Sequence, residues 1–120
     1  MNYSQTVHPG DVKTILACLE DDACRAILTE AGGAARTAKE LSERCSLPTS
    51  TVYRKLEELT DAGLLHEGTR IRRSGKHSSE YRLAVEAVTV SLGDDVSTDL
   101  EVTDEFSTAR RTPPRRVVGD

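Results

Sequence analysis

The sequence predicts one mainly helical domain closed by a small β-hairpin, and three observations carry that expectation. Apolar residues recur at helical spacing in four separate stretches between Asp11 and Ala62. A tight corner around Ser46, Leu47 and Pro48 divides the third stretch from the fourth. Past Gly63, an apolar pair opens two strand-like runs on either side of Ser74-Gly75. The order helix, turn, helix, hairpin therefore occupies Thr37 to Leu83.

A chain of 120 residues has material for one core and little more. Met1 to Gly10 lacks periodicity and contains His8-Pro9-Gly10, so it is expected to be a flexible lead-in. Asp11 is a candidate N-cap for a first helix whose apolar stripe is Val12, Ile15, Leu16 and Leu19. Asp21 or Asp22 recaps the chain, and Ala23, Ile27, Leu28 and Ala31 form a second stripe that ends at Gly32-Gly33. Thr37 with Glu40 three residues on is a capping box, so a third helix starts near Ala38, with Leu41 as its main core residue. That helix ends near Cys45, because Pro48 disfavours helical geometry at Leu47, and Pro48 suits the first turn of the next helix. The fourth stripe, Val52, Leu56 and Leu59, stops at Gly63, where a left-handed residue is expected. Leu64 and Leu65 re-enter the core, and residues 67–73 and 79–85 form the hairpin. Val88, Val90 and Leu92 alternate with Thr89 and Ser91, which predicts one further strand. Residues 11–92 make the domain, and residues 93–120 are expected to be a disordered tail, acidic and then basic.

The formal net charge is -4, which at first opposes a polyanionic partner. Its distribution reverses that inference. Between Leu64 and Val85 stand Arg70, Arg72, Arg73, Lys76 and Arg82 against Glu67 and Glu80, a local balance of +3. Between Gly93 and Glu105 there are six acids and no base. The hairpin is the locally positive segment, and it is the one expected against phosphates.

No run of about 18 apolar residues is present, so no membrane partner is expected. The opening residues lack the basic and then apolar order of a secretory signal, and the three cysteines lack C-x-x-C or C-x-C spacing. Both features point to a cytoplasmic protein without a disulfide framework. Catalysis is not expected, since the sequence offers no nucleophile with a nearby base, no glycine-rich phosphate loop and no paired metal ligands.

Three local patterns resemble the winged helix-turn-helix regulators of the ArsR-like kind, as found among archaeal transcription factors. Leu19-Glu-Asp21-Asp-Ala-Cys-Arg25-Ala-Ile27-Leu28 is similar to the stretch that leads such domains. Ser50-Thr51-Val52-Tyr53-Arg54-Lys55-Leu56 resembles the start of their recognition helix, and Leu59-Thr-Asp-Ala62-Gly63-Leu64-Leu65 the exit into the wing. Together these patterns cover residues 11–85. The resemblance implies a sequence-specific transcriptional regulator that binds double-stranded DNA, with a recognition helix at about residues 48–62 in the major groove. The basic wing, about residues 67–82, would lie on the backbone or in the minor groove.

With Val52, Leu56 and Leu59 turned inward, rotation of about 100° per residue points Ser50, Tyr53, Arg54 and Glu57 outward. Thr49 and Thr51 stand at the helix start, where hydroxyls and free amides hold phosphate. Arg54 is the candidate for a guanine or phosphate contact, Lys55 for backbone, and Glu57 for cytosine or for repelling wrong sequences. Arg70, Arg72, Arg73, Lys76 and His77 complete the expected DNA-binding set.

A winged-helix module that binds protein rather than DNA is the alternative, although such a module has no need of Arg70, Arg72, Arg73 and Lys76 together. The resemblance also implies a homodimer, for which Ile15 and Leu19 on the first helix are the expected contact. No cofactor or metal site is expected. Cys18 and Cys45 lie where free cysteine packs as a small hydrophobe, and thiol or metal sensing is the alternative to that structural role.

Overall fold

A computed structural model describes residues 3–7 and 9–102, with side chains from residue 12 onward. In chain order the elements are β1 (Tyr3–Val7), α1 (Pro9–Glu20), α2 (Asp22–Gly33), β2 (Arg36–Thr37), α3 (Ala38–Cys45) and α4 (Thr49–Asp61). They are followed by β3 (Leu65–Ile71), β4 (His77–Leu83), β5 (Val85–Ser91) and β6 (Ser97–Val102). The helices share one core, in which Ile15, Cys24, Ile27, Leu41, Val52, Leu59 and Leu64 are all but completely buried.

Local chemistry accounts for most boundaries. Asp21 caps α2, its carboxylate accepting from the Cys24 amide at 2.9 Å. Thr37 and Glu40 form the full reciprocal box at the start of α3, with bonds of 3.2 Å and 2.9 Å. The corner that follows turns at Ser46, which adopts a left-handed conformation with φ 55°, and Ser42 Oγ donates to the Leu47 carbonyl at 2.6 Å. Pro48 stands one position ahead of α4 rather than inside its first turn, with extended backbone that feeds the helix. At the far end Gly63 has φ +83°. Its amide donates to Thr60 and the Leu64 amide to Leu59, both at 3.0 Å, which satisfies the last carbonyls of α4.

On α1 the inward residues are Val12, Ile15 and Cys18, with Leu19 half-buried, while Leu16 is 40% exposed. Cys18 therefore takes the core position expected of Leu16. Of the two residues expected at a dimer contact, Ile15 is fully buried in its own core and Leu19 is half-buried, while Leu16 is the large apolar residue exposed among the described side chains of α1. Pro9 opens α1, so Asp11 lies within its first turn rather than ahead of it. On α2 the inward set is Cys24, Ile27 and Ala31, one position on from Ala23.

Two antiparallel sheets complete the fold, with strand orders β2-β4-β3 and β1-β6-β5. The first is the hairpin foreseen from the sequence, widened by the two-residue β2, which pairs Arg36 with Tyr81 and Thr37 with Glu80. At its tip the Arg72 carbonyl accepts from the Gly75 amide and the Lys76 carbonyl from the Arg72 amide, both at 2.8 Å. Gly75 has φ +89°, so this is a three-residue connection closed by a glycine bulge.

The second sheet overturns both expected chain ends. Residues 3–7, assigned to a loose lead-in, pair with β6 from Tyr3↔Val102 to Val7↔Thr98. Residues 97–102, assigned to the disordered tail, form the central strand of that sheet. The acids Asp99 and Glu101 concealed an alternation in which Thr98 and Leu100 face inward and are buried, so composition misled where period 2 did not. The domain therefore extends past residue 92. The expectation for residues 103–120 lies outside the described residues.

Candidate nucleic-acid interface

The candidate surface starts at the N-terminus of α4. Asp21 and Thr37 cap α2 and α3 through their side chains, whereas α4 starts behind Pro48 with no side-chain cap bond. Its first-turn amides thus keep free donors, flanked by the hydroxyls of exposed Thr49 and Ser50 and half-buried Thr51. Buried Val52, Leu56 and Leu59 fix the rotation of the helix, so Tyr53, Arg54 and Glu57 project outward, Tyr53 being 57% exposed. Arg54 is exposed and forms no ion pair with the described residues.

Lys55 behaves differently. Only 16% of its side chain is exposed, and Nζ lies 3.5 Å from Asp21 Oδ1 and 3.8 Å from Glu58 Oε1. It joins α4 to the α1–α2 corner instead of reaching away from the body. Position on the helix left it beside the buried face, and the sequence held no sign that Asp21 would be waiting there.

In the wing, residues 71–77 are all exposed. Arg73, Lys76 and His77 stand at the tip, and Arg72 Nε donates to Ser78 Oγ at 2.8 Å, which leaves its other guanidinium nitrogens outward. Arg70, by contrast, is turned toward the body: Nε donates to Glu80 Oε1, Nη1 to Glu40 Oε2 and Nη2 to the Ala35 carbonyl. The guanidinium holds the Glu40 carboxyl below its usual range, with help from the Thr37 amide. The twelve residues expected to bind DNA thus divide. Thr49, Ser50, Thr51, Tyr53, Arg54 and Glu57 belong to α4 and Arg72, Arg73, Lys76 and His77 to the wing tip, while Lys55 and Arg70 are internal ties.

Sequence reasoning missed Ile71, an apolar side chain 71% exposed at the wing tip and paired with His77. The alternation Thr69, Ile71 on the outward face of a strand was the available signal. Tyr81 was missed as well. It is buried on β4, and its hydroxyl pKa is raised mainly by burial, with Glu67 and Tyr53 adding to the effect.

The cysteines are free thiols. Burial raises the pKa of Cys18 and Cys45 and pushes Cys24 up to about 12, so all three are protonated at neutral pH, the form that packs as a small hydrophobe. Among the described residues no group of three or more His, Cys, Asp or Glu side chains stands together in a way that could hold a metal ion. No described helix is long and apolar enough to cross a membrane.

With the four helices, the corner and the wing in place, the chain is a winged helix-turn-helix protein. Residues 19–68 match the family described as "Helix-turn-helix domain", and the fold is similar to that of solved ArsR-like regulators. A solved ArsR-like transcriptional regulator from Rhodococcus sp. RHA1 is 26% identical with a TM-score of 0.54. The alignment covers 62% of this chain and 63% of that one, so the present chain spans just under two thirds of its relative's length. A second structure, an ArsR family transcriptional regulator, shares the fold at 18% identity and a TM-score of 0.52, over 66% of this chain and 76% of that one. Reduced HlyU from Vibrio cholerae N16961 aligns at 23% identity and a TM-score of 0.48, over 62% and 73% of the two chains. No curated protein matches the chain.

Proposed function

We propose that this protein is a sequence-specific DNA-binding transcriptional regulator that acts in the cytoplasm as a homodimer. The observation that carries the reading is the uncapped, exposed N-terminus of α4, set beside an outward face of Ser50, Tyr53, Arg54 and Glu57. A helix end with free amides and hydroxyls fits a phosphate, and the residues one turn further along are those that reach base edges in the major groove. Arg54 reads guanine or grips phosphate, and Glu57 accepts from cytosine or rejects other pairs. The wing tip supplies Arg72, Arg73, Lys76 and His77 to the backbone or minor groove. The likeness to the Rhodococcus transcriptional regulator supports the same reading.

Two-fold half-sites are the ordinary target of such readers, and Leu16, exposed on α1, is the apolar residue available to a second copy. Selection of bound duplexes from a random pool tests the proposal, with Arg54→Ala alongside wild type. Wild type should enrich a defined site and Arg54→Ala should lose preference at one position of it. Enrichment of the same site by both proteins removes Arg54 from base reading, and failure of the wild type to enrich any duplex favours the protein-binding alternative.

A further inference from the structure

Arg70 lies at the last place where the wing touches the body. Beyond it every residue from 71 to 77 is exposed, and its cross-strand partner Ser78 starts the return. The guanidinium reaches three separate elements: Glu80 Oε1 on β4 at 2.8 Å, Glu40 Oε2 on α3 at 2.9 Å, and the Ala35 carbonyl just before β2 at 3.1 Å. Glu40 is shared, because its other oxygen accepts the Thr37 amide at 2.9 Å in the capping box. One carboxylate thus caps the first helix of the helix-turn-helix and holds the root of the wing. The backbone link across this junction is short, since β2 contributes only two residues to the wing sheet.

We propose that Arg70 is a positioning residue, which fixes the angle of the wing against the helix-turn-helix and so the register in which the wing cations meet a duplex held by α4. The proposal rests on the DNA-binding reading above, and it removes Arg70 from the phosphate contacts. A planar guanidinium suits the role because its nitrogens diverge in one plane toward three acceptors, which the single ammonium of lysine cannot do. The pairs are partly exposed, with side-chain exposures of 32% for Arg70, 41% for Glu40 and 17% for Glu80. Their effect therefore falls on orientation more than on global stability.

Two substitutions give different outcomes under this role and under plain electrostatics. Glu40→Gln keeps an acceptor for the Thr37 amide but removes the charge that holds Arg70. Loss of an acid near DNA should tighten binding if only net charge matters. The positioning role instead requires binding weaker by about threefold to tenfold. Arg70→Lys keeps the cation and should weaken binding to a similar degree, whereas a phosphate contact made as a single point charge would largely survive that exchange. Affinity is measured on the duplex that wild type selects from the random pool. ¹⁵N relaxation of residues 72–76 in the free protein supplies an independent readout, for which Arg70→Gln should lower the order parameters. Equal or tighter binding by Glu40→Gln, or wild-type affinity in Arg70→Lys, overturns the proposal. If wild type selects no duplex, the DNA-binding reading fails by itself, and unchanged wing order parameters in Arg70→Gln then decide against the positioning role.

Discussion

The ammonium of Lys55 lies 3.5 Å from the carboxylate of Asp21, so a residue on α4 is held by the N-cap of α2. The contact crosses from the helix that faces the proposed ligand to the corner that organises the core. Lys55→Met should therefore leave the salt dependence of DNA binding close to that of wild type, because a cation engaged inside the fold releases no counterion from phosphate. Removal of a true phosphate contact would lower the slope of log K against log salt by about 0.9. Titration of binding at four or five salt concentrations reads this directly.

Asp21 also sets an acid limit. Its pKa is lowered first by the Cys24 amide and further by Lys55, and the Glu30 and Glu40 carboxyls are lowered by Arg44 and Arg70 respectively. A carboxyl depressed in the folded state stabilises it fully above the unfolded pKa, near 4, and loses that contribution as pH falls through the folded value. Urea unfolding should thus give constant stability from neutral pH down to about 5 and a decline below about 4. Asp21→Asn, which keeps the cap but not the charge, should flatten part of that decline, while Asp21→Ala should cost about 1 kcal/mol at neutral pH as well.

Gly63 carries the exit from α4. With φ +83°, Gly63→Ala has to accept left-handed geometry, while its Cβ would stand 3.4 Å from Leu100 Cδ1. A loss of about 1–2 kcal/mol in urea unfolding is expected, with no change in the DNA salt slope.

Leu100 tests the status of β6. It is buried on the strand at the centre of the second sheet and packs against the α4 exit. Leu100→Ala should cost about 2–4 kcal/mol, as for a core leucine, whereas a leucine in a loose tail would show almost nothing.

Within the proposed interface, Arg54 and Arg73 should separate by kind of effect. Arg54→Ala should cost about 1–3 kcal/mol on the preferred duplex and much less on others, relaxing one base position. Arg73→Ala should weaken all duplexes alike and lower the salt slope by about 1. Interchanged behaviours would move base reading from α4 to the wing.

The helix-turn-helix was legible because its signals are local. The Thr37–Glu40 box, the corner before Pro48 and the stop at Gly63 each depend on residues within a few positions of one another, and backbone geometry there follows from side-chain chemistry alone. The inward face of α4 followed from spacing, and with it the outward set of Tyr53, Arg54 and Glu57. The destinations of Lys55 and Arg70 were not legible. A long cation beside a buried face can swing either to solvent or to an acid, and the partners of Arg70 on α3 and before β2 are 30 and 35 residues away in the chain. The same limit hid the second sheet. Residues 3–7 and 97–102 bond to each other across almost the whole described chain, and neither segment carries enough apolar surface to declare itself alone. Sequence by itself therefore determined the helices, the turns and the composition of the outward face of α4. Tertiary structure decided which cations are tied to acids within the fold and that the domain runs on past residue 92, because both depend on what distant segments bring within hydrogen-bonding range.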